Sequence, residues 1–170
     1  MFVFDIIWVQ VERSGVKWRR WETLLLGEYN HTIDEKSRVI VPSKFRDDLG
    51  STFVVTKGFD KCLFAFSITE WQNFEAKLKS LPLSDVNARK YVRYFTAGAT
   101  ECQVDKQGRV LIPANLKEHA GLKKDVVITG VSTRAEIWDK DTWNSYTSDE
   151  NIDLDEIASH MSEFGIWYRF

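Results

Sequence analysis

An internal repeat constrains the fold of this chain more than any other feature of its sequence. Residues 33–50 read IDEKSRVIVPSKFRDDLG, and residues 104–121 read VDKQGRVLIPANLKEHAG, at a constant offset of 71 residues. After a one-residue shift the similarity continues, since Val54-Val55 matches Val126-Val127 and Trp71 matches Trp143. Similarity over about 45 residues at a fixed spacing is typical of a duplicated supersecondary unit. The sequence therefore predicts two related copies of one motif.

Each copy has the pattern of a strand, a polar turn, a second strand and a short helix. A mixed apolar pattern predicts the first strands, and runs rich in β-branched residues after the turns predict the second strands. The prolines at 42 and 113 suit the first position of a helix, and the glycines at 50 and 121 suit the residue just past its end. The predicted strands of the two copies are 28–33, 38–41, 53–56 and 62–66, and 100–104, 109–112, 126–129 and 134–138.

Helices are predicted between the copies and after the second one. Apolar residues recur at helical spacing from Trp71 to Leu81, after a cap at Ser67 or Thr69. A second helix follows Asp85, and a terminal helix is predicted from Asp153 to Met161. A unit of about 45 residues buries too little surface to be stable alone. We therefore expect the two copies to pack as an intramolecular pseudo-dimer.

Composition excludes some classes of protein and leaves the function open. The chain of 170 residues is 44% hydrophobic and 28% charged, as globular proteins are, and has no apolar run long enough for a membrane helix. Its two cysteines, 40 residues apart, form no CxxC motif, which favours a reduced, cytoplasmic protein. The net charge is −2, but residues 147–170 carry −5 and residues 24–146 carry +2. An acidic tail thus masks a weakly basic body.

Several motifs together resemble the MraZ family of bacterial transcriptional regulators. They are the step Gly27-Glu28-Tyr29, the two Asp-x-x-x-Arg turns, the Val-Pro and Ile-Pro steps, and Gly98-Ala99-Thr100-Glu101. The resemblance extends from about Leu26 to Met161. It implies an α+β, mainly β fold of the AbrB/SpoVT type, in which two swapped-hairpin motifs form a double-split β-barrel pseudo-dimer with peripheral helices.

The resemblance also implies a function and a domain organisation. Family members bind repeated promoter elements at the head of the division and cell-wall gene cluster and assemble into ring-shaped homo-oligomers. The resemblance therefore also implies a cytoplasmic, nucleoid-associated protein. We expect a first motif at 27–73, a helical connector at 74–97, a second motif at 98–146 and an acidic helix and tail at 147–170. Residues 1–23 precede the resemblance and are predicted to be a leader, either translated from an upstream start or disordered.

Candidate DNA-binding residues cluster at the two turns and the helices after them. Arginine can bind guanine and asparagine can bind adenine in the major groove, whereas lysine mainly contacts phosphates. The candidates are Lys36, Arg38, Lys44 and Arg46 in the first copy, and Lys106, Arg109, Asn115 and Lys117 in the second. An alternative is that Asp34 with Arg38, and Asp105 with Arg109, are only ion pairs that brace the turns. Both arginines can also serve both purposes.

Other functional classes have weaker support in the sequence. The three histidines lie far apart, no GxSxG or HExxH motif is present, and Cys62 stands among apolar residues as a buried structural thiol would. We therefore expect no enzyme, no cofactor, no metal site and no small-molecule substrate. An antitoxin-like or scaffold module that binds a protein partner through the acidic tail remains the alternative to a DNA-binding regulator. The apolar spacing of the tail helix is otherwise explained by a terminal helix that covers the barrel or a neighbouring subunit.

Overall fold

The computed structural model describes residues 24–148, 150 and 152–164. The predicted leader at residues 1–23 lies outside the described residues, as does the end of the predicted tail. The described residues contain eight β-strands, six α-helices and a final turn of 3₁₀ helix. The strands are β1 (Leu25–Thr32), β2 (Arg38–Ile40), β3 (Thr52–Lys57), β4 (Leu63–Ser67), β5 (Thr100–Gln103), β6 (Arg109–Leu111), β7 (Asp125–Ser132) and β8 (Arg134–Asp139). The helices are α1 (Ser43–Leu49), α2 (Ile68–Lys79), α3 (Val86–Thr96), α4 (Ala114–His119), α5 (Lys140–Tyr146) and α6 (Leu154–Met161).

The helix ends follow local sequence signals. Ser67 caps α2 by accepting a hydrogen bond from the Glu70 amide, and Asp85 caps α3 in the same way. The sequence predicted Pro42 and Pro113 at the first helical position. Both residues instead occupy the N-cap position, so α1 and α4 begin one residue later than predicted. After α4, Gly121 has a φ of 59°, and the amides of residues 121 and 122 donate to the carbonyls of residues 118 and 117. This Schellman motif satisfies carbonyls that the helix itself leaves open.

The two copies exchange strands. The first strand of copy one, β1, pairs antiparallel with β7 of copy two along eight residues, and the equivalent strand of copy two, β5, pairs with β3 of copy one. Between these exchanged strands, β4 pairs with β8, and on a separate layer β2 pairs with β6. The main sheet has the order β1-β7-β8-β4-β3-β5. This pattern relates the copies by a pseudo-two-fold axis through the β4–β8 and β2–β6 pairs.

The predicted α+β, mainly β class is confirmed. In the described residues the six-stranded sheet is open, with β1 and β5 at its edges, and no closed barrel is detected. The double-split barrel therefore stays a prediction.

Two apolar layers lie on opposite faces of the sheet. One layer is covered by the two-stranded β2–β6 ribbon and the short helices α1 and α4, and contains Val39, Val110, Phe45 and Leu116. The other is aromatic and is covered by α2, α3 and α5. Residues of β4 alternate between the layers, since Leu63 belongs to the first and Phe64 to the second. The ribbon thus lies on one side of the molecule and the longer helices on the other.

Candidate nucleic-acid interface

The outer face of the β2–β6 ribbon carries both turn arginines. Arg38 lies opposite Leu111, and Ile40 lies opposite Arg109, while the central pair of valines points into the core and is fully buried. Because side chains alternate along a strand, the four other side chains share the outward face. The two arginines therefore occupy diagonal corners of a small antiparallel ribbon.

Asp34 organises the first turn through four hydrogen bonds. Its Oδ1 accepts from the backbone amides of Lys36 and Arg38, both at 2.9 Å. Its Oδ2 accepts from the Arg38 Nε at 2.8 Å and lies 2.7 Å from an Nη of the same guanidinium. The carboxylate thus fixes both the backbone of the turn and the direction of the arginine.

Asp105 makes the same set of contacts in the second turn. Its Oδ1 accepts from the amides of Gln107 at 2.8 Å and Arg109 at 2.9 Å, and its Oδ2 accepts from the Arg109 Nε at 2.9 Å. The Arg109 side-chain bond, with the backbone bonds next, lowers the pKa of Asp105 to about 2. The equivalent bonds from Arg38 lower the pKa of Asp34. Both carboxylates are therefore ionised at neutral pH.

The aspartates leave part of each guanidinium free to act. A guanidinium has five N–H donors, and each pair uses two nitrogens on one edge of the group. The side chains of Arg38 and Arg109 are 28% and 25% exposed. An arginine held in this way loses little conformational freedom on binding, because its direction is already set. Turn bracing and DNA contact are thus compatible functions of the same residue.

The helices bring one further cation of each copy over the turn of the other copy. The Arg46 guanidinium of copy one lies over Gly108, where an added Cβ would stand 2.7 Å from an Nη atom. Its counterpart in copy two, Lys117, lies 3.4 Å from the Ser37 hydroxyl. Backbone bonds from Val41 to Gly108 and from Ile112 to Ser37, both 2.9 Å, tie the same segments together. Each basic cluster is therefore built from both copies.

The remaining candidates lie around this centre as exposed side chains. Lys36 and Lys106 stand in the turns, and Lys44 and Asn115 stand in the first turns of α1 and α4. Carboxylates accompany these cations on the same segments, including Glu35, Asp47, Asp48 and Glu118. The surface is therefore rich in charge of both signs, and its net positive charge is small.

Two residues of this face were missed by the sequence analysis. Ile40 is 46% exposed and Leu111 is 57% exposed, although both stand in apolar strands. The available signal was the period of two: the residues on both sides of Ile40 are buried, so Ile40 itself must point outward. Apolar side chains at such a position can contact the methyl group of thymine. They are apolar candidates for base contact beside the two arginines.

Ser37 and Gly108 occupy equivalent positions in the turns and differ in a way that matches their neighbours. Ser37 has a φ of 58° and Gly108 a φ of 76°, so both lie in the left-handed region. The residue without a Cβ faces the larger guanidinium of Arg46, and the serine faces the slimmer Lys117. The sequence left the geometry of the first turn open, and the structure shows the two turns to be alike.

We expect Gly108→Ser to lower the free energy of unfolding by about 1–3 kcal/mol, because it adds left-handed strain and a Cβ against Arg46. Chemical denaturation monitored by tryptophan fluorescence measures this change. The reverse substitution in the other copy, Ser37→Gly, is the matched control and should leave stability within about 1 kcal/mol. Arg46→Lys should restore part of the loss in the Gly108→Ser chain. Equal losses for Gly108→Ser with and without Arg46→Lys would contradict the proposed contact.

The pKa shifts of the turn aspartates predict acid sensitivity. A carboxyl group whose pKa is lower in the folded state stabilises the fold above its usual pKa near 4, and this stabilisation is lost as the pH falls toward the folded value. For Asp105 that window extends from about pH 4 to about pH 2. We expect the melting temperature to fall more steeply across this window in the native chain than in Asp34→Asn/Asp105→Asn. Parallel curves for the two proteins would contradict the role of these carboxylates.

Four further residues that could act as nucleophiles or metal ligands, the two cysteines and His31 and His119, are buried or half-buried. Cys62 and Cys102 are buried, and burial raises the pKa of both thiols, that of Cys102 to about 11. His119 lies 3.2 Å from the Gly58 carbonyl, and His31 is half-buried on β1. In the described part of the chain, no group of three or more His, Cys, Asp or Glu side chains could hold a metal ion. No helix in that part is long and apolar enough to cross a membrane.

Comparison with known protein families identifies the chain. The model of the family described as "MraZ protein, putative antitoxin-like" matches it twice, over residues 24–94 and 95–164. The chain belongs to the MraZ family. The two successive matches also confirm the duplication predicted from the sequence.

Curated MraZ proteins match most of this chain. The "Transcriptional regulator MraZ" of Acetivibrio thermocellus is 59% identical over 143 residues, which are 84% of this chain and all of that protein. Proteins of the same name from Thermoanaerobacter sp. (strain X514) and Alkaliphilus oremlandii are 56% and 53% identical over the same shares. The predicted family resemblance is therefore confirmed.

Proposed function

We propose that the chain is a sequence-specific DNA-binding transcriptional regulator that acts on its own promoter through repeated sites. In this proposal the promoter stands at the head of the division and cell-wall gene cluster, and the protein is cytoplasmic and nucleoid-associated. The names of its MraZ relatives, which call them transcriptional regulators, support the general function. One structural observation carries the proposal: the outward face of the β2–β6 ribbon, with Arg38 and Arg109 at diagonal corners.

The ribbon has a size and chemistry suited to the major groove. That groove is about 12 Å wide and admits a two-stranded β-ribbon. Arg38 and Arg109 would bind guanine through their free edges, and Ile40 and Leu111 would contact thymine methyls. The lysines of the turns and helices would contact phosphates and fix the position of the ribbon. Asn115 would bind adenine or a phosphate from the start of α4.

A single chain would bind weakly, so assembly belongs to the mechanism. Residues 24–146 carry only +2, and carboxylates stand beside the candidate cations. Several ribbons in a ring-shaped homo-oligomer would bind several repeats at once, and linked sites bind more tightly than isolated ones when the spacing fits. A promoter bound in this way is closed to other proteins.

In the same proposal, residues 27–73 and 98–146 are the two motifs of a double-split barrel. Residues 74–97 connect the motifs, and residues 147–170 form the acidic tail.

Fluorescence anisotropy tests the proposal. The full chain is titrated onto labelled DNA from upstream of its own gene and onto scrambled DNA of equal length, over a series of salt concentrations. We expect tight binding to the native sequence only, with log K falling by about 0.9 for each phosphate contact per unit of log salt. Equal, weak binding to both DNAs would overturn the proposal. The antitoxin-like or scaffold alternative would then be favoured, and the search would turn to a protein partner of the tail.

No catalytic step is proposed for this chain. We propose that neither a cofactor nor a small-molecule substrate takes part in its function. DNA and other copies of the same chain are the partners.

A further inference from the structure

The terminal helix α6 exposes an apolar stripe. Leu154, Ile157 and Met161 recur at helical spacing, and Phe164 continues the stripe in the 3₁₀ turn. Leu154 is 71% exposed, Ile157 47% and Phe164 68%. None of the eight residues of α6, all within the described part of the chain, is buried. A helix with a well-defined apolar face normally packs that face against a partner.

The helix α3, which follows the first copy, differs from α6 because its apolar side is packed against the rest of the chain. Like α6, α3 begins at an aspartate cap, Asp85, and carries apolar residues along one side. Its Phe95 is 1% exposed and contacts the rings of Phe74 and Phe64 in the aromatic layer. The equivalent helix of the second copy, α6, buries nothing. Its apolar stripe therefore lacks the cover that the first copy provides for α3.

An aromatic cleft of about 280 Å³ lies between α2, α3 and the β7–β8 turn. Its walls are Phe59, Phe64, Phe66, Phe74, Tyr91 and Phe95, and its polar rim carries Glu70, Asn73, Lys77, Thr133 and Arg134. Phe59 and Tyr91 are 48% and 40% exposed, and their ring centres lie 6.3 Å apart, so the two rings form one exposed aromatic patch. The Arg134 guanidinium lies 4.3 Å from the centre of the Phe64 ring. The cleft therefore has aromatic walls and a polar rim of both charge signs, in which Arg134 is paired with Glu136 at 2.7 Å.

The charges of the two surfaces are complementary. The α3 helix beside the cleft carries Arg89, Lys90 and Arg93 and no acidic residue. The segment 152–164 carries Asp153, Asp155, Glu156 and Glu163 and no lysine or arginine. Opposite net charges favour the encounter and the orientation of two surfaces, while apolar contact supplies most of the affinity. An acidic apolar helix therefore fits an aromatic cleft that has a basic helix, α3, along one side.

We propose that α6 of one copy docks in the aromatic cleft of a second copy of this chain. The donor helix and the acceptor cleft are different surfaces of one molecule, and contacts of this kind produce rings when the rotation closes. The inference rests on the assembly in the proposed function and assigns its contact surfaces. It places the acceptor cleft on the face of the sheet opposite the DNA-binding ribbon.

Disulfide trapping between two full-length variants tests the contact. Both native cysteines are buried, so an introduced cysteine is the accessible thiol of the described residues. Ile157→Cys chains are mixed with Tyr91→Cys chains and oxidised in the absence of DNA. We expect at least a tenfold higher yield of mixed dimer than for Asp47→Cys with Tyr91→Cys, since Asp47 lies on α1 across the sheet. Equal yields would overturn the proposal.

A second arrangement would be docking of α6 into the cleft of its own chain. The chain that carries both Ile157→Cys and Tyr91→Cys distinguishes the two, because an internal disulfide leaves a single chain on a non-reducing gel. If this internal product predominates at every protein concentration, the contact between copies is overturned.

Sedimentation velocity without DNA supplies an independent readout. Ile157→Asp should shift the assembly to smaller species, whereas Ser159→Asp, which adds the same charge on the opposite side of α6, should keep its size. Unchanged sedimentation of Ile157→Asp would also overturn the proposal. Because no DNA is present, this outcome is separate from failure of the proposed DNA binding.

Discussion

Replacing both Arg38 and Arg109 by alanine is expected to weaken binding to the proposed promoter sites by about 100-fold or more. A bidentate arginine–guanine pair contributes about 1–3 kcal/mol of discrimination, and the ribbon presents two such arginines on one face. Binding to scrambled DNA should fall much less, because the lysines that contact phosphates remain. Anisotropy titrations of both DNAs at one fixed salt concentration measure the two effects.

Two control variants separate base contact from general charge and from folding. Lys61→Ala/Lys79→Ala removes the same number of positive charges away from the ribbon. DNA binding should change by less than about threefold, because salt screens the attraction between these distant charges and the DNA. Arg38→Lys/Arg109→Lys keeps the charge but removes the planar fork, so it should lose sequence preference while retaining most non-specific affinity. If the double alanine variant loses its circular dichroism signal together with DNA binding, the arginines act only as turn braces.

Gly130→Ala is expected to lower the free energy of unfolding by about 3 kcal/mol or more, because overpacking against backbone cannot be relieved by a side-chain rotation. An added Cβ at this position on β7 would clash with the Leu25 carbonyl carbon and the Leu26 nitrogen, both in the backbone of β1. The exchanged strand β1 must therefore move away from β7. Urea denaturation measures the loss, and amide hydrogen exchange should show it first in β1.

Gly121→Ala is the matched control for this substitution. Gly121 has a φ of 59° and no atom within 4 Å of an added Cβ, so alanine there adds left-handed strain without a clash. A loss of about 1 kcal/mol is expected. Similar losses for the two variants would show that β1 does not approach Gly130 as closely as the structure places it.

The local elements could be predicted from the sequence because their signals are local. The aspartates at 34 and 105 predicted turns, and the residues around Pro42 and Gly121 marked the ends of short helices. Each of these signals acts over a few residues, through a hydrogen bond or a restricted backbone angle. The duplication added the information that whatever one copy forms, the other copy forms as well.

The contacts between the copies could not be predicted from local patterns. The pairing of β1 with β7 depends on register across distant segments, which a repeat alone leaves open. In the candidate site, the sequence placed Arg46 and Lys117 near their own turns, whereas the structure places each over the other copy's turn. The outward position of Ile40 and Leu111 follows only when their neighbours are known to be buried.

The exchange of strands also determines when the chain can fold. Paired residues of β1 and β7 are roughly 100 residues apart, so the earliest synthesised of the described strands pairs with one of the last of them. At about 5–20 residues per second this interval lasts several seconds, during which the apolar side chains of the first copy have no partner sheet. Contacts between distant segments also slow folding itself, because a long loop must close first. We therefore expect the chain to fold late in its own synthesis and as one unit.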